Sequence, residues 1–163
     1  METSLDHYAD GGPDIATVNA GRVILSRQDL VKQRPDLPAF LREMTGLPIA
    51  SAASCQILGL ANCKRMACFA LHNVTPTGEA ELVAAVDRGL LQRSSLRFLA
   101  HWIFGEFGVR RLVCRIPADN QPAQDYARRL GFKFEGKAKS YFADDTDASV
   151  WVMFAHTCPW LRG

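Results

Sequence analysis

Glu79 and Glu81 open the stretch EAELVAAV, and His72 lies in the apolar run before it. Carboxylates and an imidazole on adjoining segments can take a proton from a reacting group, or can stand as solvated groups on a polar edge. Cys114 sits inside the apolar run LVCRI with no histidine positioned beside it in sequence, so a core thiol fits better than a covalent nucleophile. The five cysteines form no Cys-x-x-Cys pair, and the four histidines (His7, His72, His101, His156) lie far apart, so no metal site is expected. Asn120 precedes a helical pattern and can cap it.

The elements holding these groups must come from a chain of 163 residues, 48% hydrophobic, which suits one domain with its own core. A formal charge of +2, assembled from scattered Lys and Arg, argues against general nucleic-acid binding, which needs a concentrated basic face. The first residues, METSLDHYADGGPD, lack the basic start and apolar stretch of a signal peptide. No apolar run reaches the roughly 20 residues that cross a bilayer. With unpaired cysteines, these features imply a cytoplasmic protein without membrane contact.

Residues 1–20 read as a flexible polar arm and residues 21–163 as one domain. Within the first quarter, a strand over Arg22–Leu25, a helix over Arg27–Lys32 capped by Ser26, and a helix over Asp36–Met44 closed by Gly46 are expected. The apolar runs Ala53–Ala61 and Met66–Val74 suit antiparallel strands, and a Pro/Gly turn follows at Thr75–Gly78. Propensity alone allows a helix over Glu79–Val86, but its shortness and the preceding turn favour a strand paired with Met66–Val74. From Ser94 the apolar positions Leu96, Leu99, Ala100, Ile103, Phe104 and Phe107 predict a helix ending at Gly108. A buried strand over Leu112–Ile116 precedes a helix with Pro122 in its first turn and Gly131 at its end. Phe132–Phe142 and Ala148–His156 make a closing strand pair around the acidic turn Asp144–Asp147. The fold class is therefore α/β, without repeats or a dividing linker.

Residues 120–136, NQPAQDYARRLGFKFEG, closely resemble the Asn-x-x-Ala/Ser, Leu-Gly-Phe, Glu-Gly signature of the GNAT acyltransferase superfamily. They look most like the branch of ribosomal-protein alanine acetyltransferases and small phage-borne relatives, as does the closing hairpin with Trp151, Met153, Trp160 and Leu161. The resemblance covers roughly the second half of the chain. It implies a mixed, mostly antiparallel sheet flanked by helices, and an enzyme that acylates an amine with acetyl-CoA or another short acyl-CoA.

The resemblance also places the cofactor's diphosphate at the start of the helix after the fourth strand, where unpaired N–H groups and the positive helix end favour an anion. Here that stretch supplies Val86, Arg88, Gly89, Leu91, Gln92, Arg93, Ser94 and Ser95. The family prefers Arg/Gln-x-x-Gly-x-Gly/Ala; this chain keeps Arg88 and Gly89 but has Leu91 and Arg93 where small residues are usual. Arg88 and Arg93 can pair with phosphate and Ser94 and Ser95 can donate hydroxyl bonds, while an ordinary capped helix with solvated arginines would share the same residues. The pantetheine arm is expected along Leu82–Val86, with Asn120 and Gln121 closing the other side.

Amine acylation needs a proton acceptor, for which Glu81 is the first candidate, with Glu79 and His72 beside it. Many members of the superfamily protonate the departing thiolate from a tyrosine seven positions after the signature Asn. That position is Ala127 here, and Tyr126, turned about 100° away on the helix, cannot simply inherit the role. Two readings remain: an N-acyltransferase, and a binding or structural protein of the same fold that has lost catalysis. The acceptor stays open between a protein N-terminus and a small amine, and a homodimer is admitted.

Overall fold

The computed structural model describes residues 23–25, 56–61, 66–86 and 91–162. The arm over residues 1–20, the helices expected at 27–32 and 36–44, and the candidate residues Arg88 and Gly89 lie outside these.

The turn at Thr75–Gly78 decides the reading of Glu79–Val86. The Thr75 N–H donates to the Glu79 carbonyl at 2.8 Å and the Gly78 N–H to the Thr75 carbonyl at 3.0 Å, with Gly78 at φ +89°, a conformation glycine adopts without steric cost. This reverses the chain, so β3 (Met66–His72) meets β4 (Glu79–Val86) residue for residue, from His72 opposite Glu81 to Ala67 opposite Val86. Cross-strand pairing thus overrides the helix propensity of EAELVAAV. On the far side, β2 (Gln56–Ala61) pairs with β3, and β1 (Val23–Leu25) with β2, both antiparallel.

After β4 comes α1 (Arg93–Ala100), then β5 (Arg111–Pro117), α2 (Gln121–Leu130), β6 (Lys133–Ala138) and β7 (Ala148–Phe154). They complete a seven-stranded sheet of order β1-β2-β3-β4-β5-β7-β6, in which only β4 and β5 run parallel. The expected mixed, mostly antiparallel α/β sheet is observed. No helix among the described residues is long and apolar enough to cross a membrane.

The helix expected to run regularly to Phe107 changes type part-way. Residues His101–Glu106 form a π-helical turn, closed by the Phe107 N–H on the Trp102 carbonyl at 3.3 Å, before Gly108 at φ +61° ends it. The widened turn lets the consecutive Trp102, Ile103 and Phe104 all face the core. Among the described residues, Trp102, Leu71, Leu112, Val109 and Val113 are the largest fully buried side chains and weld this helix to the sheet.

Asn120 caps α2 as expected, its Oδ1 accepting the Ala123 N–H at 3.2 Å. At the other end Gly131 adopts φ +105°, the Phe132 N–H bonds the Ala127 carbonyl, and the Trp160 indole N–H donates to the Leu130 carbonyl at 2.8 Å. A Cβ on Gly131 would lie 3.0 Å from Cγ of Pro159 as well as in a left-handed conformation. Gly131→Ala is therefore expected to destabilise the protein by about 1–2 kcal/mol or more, measurable as a lower urea midpoint at unchanged slope.

The last strand pair is shorter than predicted. β6 stops at Ala138, because Asp147 Oδ1 takes the Ser140 N–H at 2.9 Å and Ser140 turns at φ +46°, drawing residues 139–147 into a folded loop. β7 ends at Phe154, where Ala155–Thr157 form a 3-10 turn.

Candidate active site

β4 and β5 pair only at Glu79–Arg111, Ala80–Leu112 and Glu81–Val113. Beyond Glu81 they part, and each arm is held from behind: β4 stays bonded to β3 as far as Val86, and β5 to β7 as far as Pro117. Among the described residues, the inner edges of Leu82–Val86 and Cys114–Pro117 thus have no strand partner, and backbone groups on a bare edge can bond an extended, amide-bearing ligand.

The opening is a cleft of about 620 Å³, walled by the inner edges of both strands, by Leu96, Leu99, Ala100 and Ile103 of the first helix, and by Ala123, Tyr126, Ala127 and Leu130 of α2. It is mostly apolar. Polar groups gather at its vertex, where the strands diverge.

Glu81 stands at that vertex and is 5% exposed. Its Oε2 lies 2.6 Å from Nη1 of Arg115 and accepts Nδ2 of Asn73 at 3.2 Å, while Oε1 accepts the Tyr141 hydroxyl at 3.1 Å. The Arg115 guanidinium also lies over the Tyr141 ring at 5.3 Å. A carboxylate this deeply buried must be paired and hydrogen-bonded, and these contacts meet that need. Burial and the Glu81 charge together hold the Tyr141 hydroxyl above its ordinary pKa, so it keeps its proton at neutral pH.

Of the other proton acceptors considered, His72 is buried opposite Glu81, with Nε2 3.8 Å from Oε2 and without a hydrogen-bond partner. Burial lowers its pKa, and Arg115 acts the same way against the opposing pull of Glu81, which favours a neutral imidazole. It stands behind Glu81 and does not line the cleft. Glu79 is also absent from the lining: its Oε2 accepts Nε of Arg111 at 2.8 Å, and the same guanidinium forks onto Glu135 at 3.0 and 2.6 Å. That fork holds Glu135 below the usual carboxylate range.

Cys114 does line the cleft, but burial, reinforced by Glu81, pushes its pKa up to about 12. Such a thiol is a poor nucleophile, in keeping with a structural role.

Among the residues proposed for the cofactor, Val86, Leu91 and Asn120 line the cleft; Gln92, Arg93, Ser94, Ser95 and Gln121 do not. Leu91 packs against the core rather than standing free. Gln92 is the extended N-cap of α1 and Arg93 its exposed first residue; Ser95 is fully buried, its hydroxyl unpartnered. The Leu96 N–H is bonded to the Gln92 carbonyl, and no acidic side chain occupies the first turn. Within its own first turn, then, α1 sets no carboxylate against an anion at its positive end. Gln121 is exposed and bonds Asp125 along the helix.

Sequence reasoning missed Arg115, Asn73 and Tyr141. A signal existed for Arg115, the only charge within LVCRI, since a charge in a buried strand demands a partner. Tyr141 had none: 60 residues separate it from Glu81, and the loop around residues 139–147 brings them together.

No protein-family model matches the chain, and no curated protein sequence matches it. Solved structures do. A mutant of spermidine N-acetyltransferase SpeG from Vibrio cholerae superposes with a TM-score of 0.65 at 12% identity, over 88% of this chain and 98% of that one. The same enzyme in complex with CoA and spermine gives 0.64 at 12% identity, over 85% and 98%. Ribosomal-protein-S5-alanine acetyltransferase from Vibrio fischeri gives 0.54 at 17% identity, over 79% and 72%. The chain thus carries the GNAT acyltransferase fold anticipated from residues 120–136.

Proposed function

We propose that this GNAT-fold chain is an acyl-CoA-dependent N-acyltransferase that moves an acetyl group from acetyl-CoA to a primary amine by direct attack. The observation that carries the reading is the fork of β4 and β5, whose bare inner edges bound a cleft large enough for an extended ligand. The pantetheine amides would run along Leu82–Val86, with Asn120 on the opposite wall; Gln121, turned outward to Asp125, leaves that role. Arg88, Gly89, Gln92, Arg93 and Ser94 would receive the diphosphate at the helix start; Ser95, fully buried, and Leu91, packed on the core, fall outside that set. The bound thioester would supply an activated acyl carbon; the protein would contribute orientation and, in the buried Glu81, a proton acceptor. The raised thiol pKa of Cys114 favours direct attack over a covalent acyl-enzyme.

One observation favours a second reading, in which the fold binds a ligand without catalysis: both oxygens of Glu81 already carry hydrogen-bond or ion-pair partners. The acceptor is proposed only as a primary amine, whether a protein N-terminus or a small amine. A cytoplasmic setting accords with the free thiols of Cys114 and Cys158.

Thiol release from acetyl-CoA in the presence of N-terminal peptides, polyamines and amino sugars tests the activity: amine-dependent release is expected, and release with no amine in such a panel leaves the second reading. Replacing Arg88 and Arg93 together by Ala should weaken CoA by about tenfold or more while leaving its phosphate-free pantetheine fragment within about twofold, measured by calorimetry. Equal losses for both ligands would remove the phosphate assignment.

A further inference from the structure

Acylation of an amine frees one proton at nitrogen and requires one at the departing sulfur. At the fork vertex two cleft-lining side chains are already hydrogen-bonded: the Tyr141 hydroxyl donates to Oε1 of Glu81 at 3.1 Å. Arg115 and Asn73 hold Oε2, so proton exchange falls to Oε1, whose partner is the Tyr141 hydroxyl itself. We propose that Tyr141 is the proton donor of this site and forms, with Oε1 of Glu81, one closed proton-exchanging pair; the inference rests on the transferase reading.

The exchange balances without an outside donor. The nitrogen–acyl bond forms as the carbon–sulfur bond breaks; one N–H proton passes to Oε1, and the Tyr141 O–H proton passes to sulfur. The proton on Oε1 then crosses the existing hydrogen bond to the phenolate, restoring both groups. Products are the amide and a free thiol, and the protein ends with the charge it began with.

Placement of the hydroxyl does not depend on a ligand. The loop that bears Tyr141 is tied by Asp147, which accepts the Ser140 N–H and pairs with Lys139 at 3.2 Å, while the Asp147 carbonyl takes the Ala118 N–H at 2.9 Å beyond β5. Within the loop the Phe142 N–H bonds the Thr146 carbonyl at 3.1 Å, and the Phe142 ring meets Tyr141 edge-on at 5.0 Å. Arg115 covers the tyrosine ring while pairing with Glu81, locking both partners to one cation. Tyr126 also faces the cleft, but its neighbour is Arg129, not a proton acceptor.

Tyr141→Phe keeps the ring and removes the hydroxyl. Its kcat for amine acetylation should fall about 100-fold, with the calorimetric affinity for acetyl-CoA within about twofold of wild type. A second readout needs no ligand. Of the three tyrosines, the tyrosinate transition lost in Tyr141→Phe should lie above the ordinary range in wild type and shift to lower pH in Glu81→Gln. Wild-type kcat in Tyr141→Phe, or a Tyr141 transition unmoved by Glu81→Gln, overturns the proposal. A wild-type chain that neither binds acetyl-CoA nor releases thiol removes the transferase reading itself, whereas an active wild type with an unimpaired Tyr141→Phe variant removes the proton route alone.

Discussion

Glu81→Gln is expected to lower kcat for amine acetylation by about 10²–10⁴-fold, the range over which a positioned proton acceptor acts. Glutamine keeps the volume and offers Tyr141 an oxygen, so the cleft should retain its shape. What it loses is basicity and the charge that faces Arg115 at 2.6 Å. Removing one member of a buried pair leaves the other uncompensated, so thermal unfolding must be followed alongside turnover. The expected signature is a large loss of kcat with acetyl-CoA affinity nearly intact; a fully active variant would leave Glu81 as no more than the anchor of Arg115.

Trp102→Ala is expected to cost about 3–5 kcal/mol of folding stability, the usual result of emptying a buried indole site. Trp102 is 2% exposed and meets Phe107 edge-on at 5.1 Å, fastening the π-helical turn against the sheet. Leu99, Ala100, Ile103 and Phe104 from the same stretch form a wall of the cleft. Loss of the anchor should therefore weaken acyl-CoA binding as well as lower the urea midpoint, while Trp102→Phe should recover much of both. An unchanged midpoint in Trp102→Ala would refute the assignment of this turn as the link between core and cleft.

The second half of the chain was legible because its elements announce themselves locally. Asn120 caps α2, Gly131 takes the left-handed end, and a period-3.6 apolar face marks the helix before them. The strand reading of Glu79–Val86 rested on a turn, and the pairing with β3 bears it out. Periodicity could not reveal the π-helical turn, since apolar residues at 101–107 satisfy a regular and a widened helix almost equally. It also overran β6, because capture of the Ser140 N–H by Asp147 is a side-chain event that strand propensity does not register. In the site, Glu81 was found from its place at the head of β4. Its partners Asn73, Arg115 and Tyr141 lie on three other segments, so only the folded sheet and loop could join them.

Calorimetric titration of the wild-type protein with acetyl-CoA addresses the central claim most directly. An acyl-CoA seated between the parted arms of β4 and β5 predicts saturable one-to-one binding with a dissociation constant well below about 1 mM. No saturable heat at millimolar ligand, with no rise in melting temperature, would contradict it and leave the cleft without its proposed occupant.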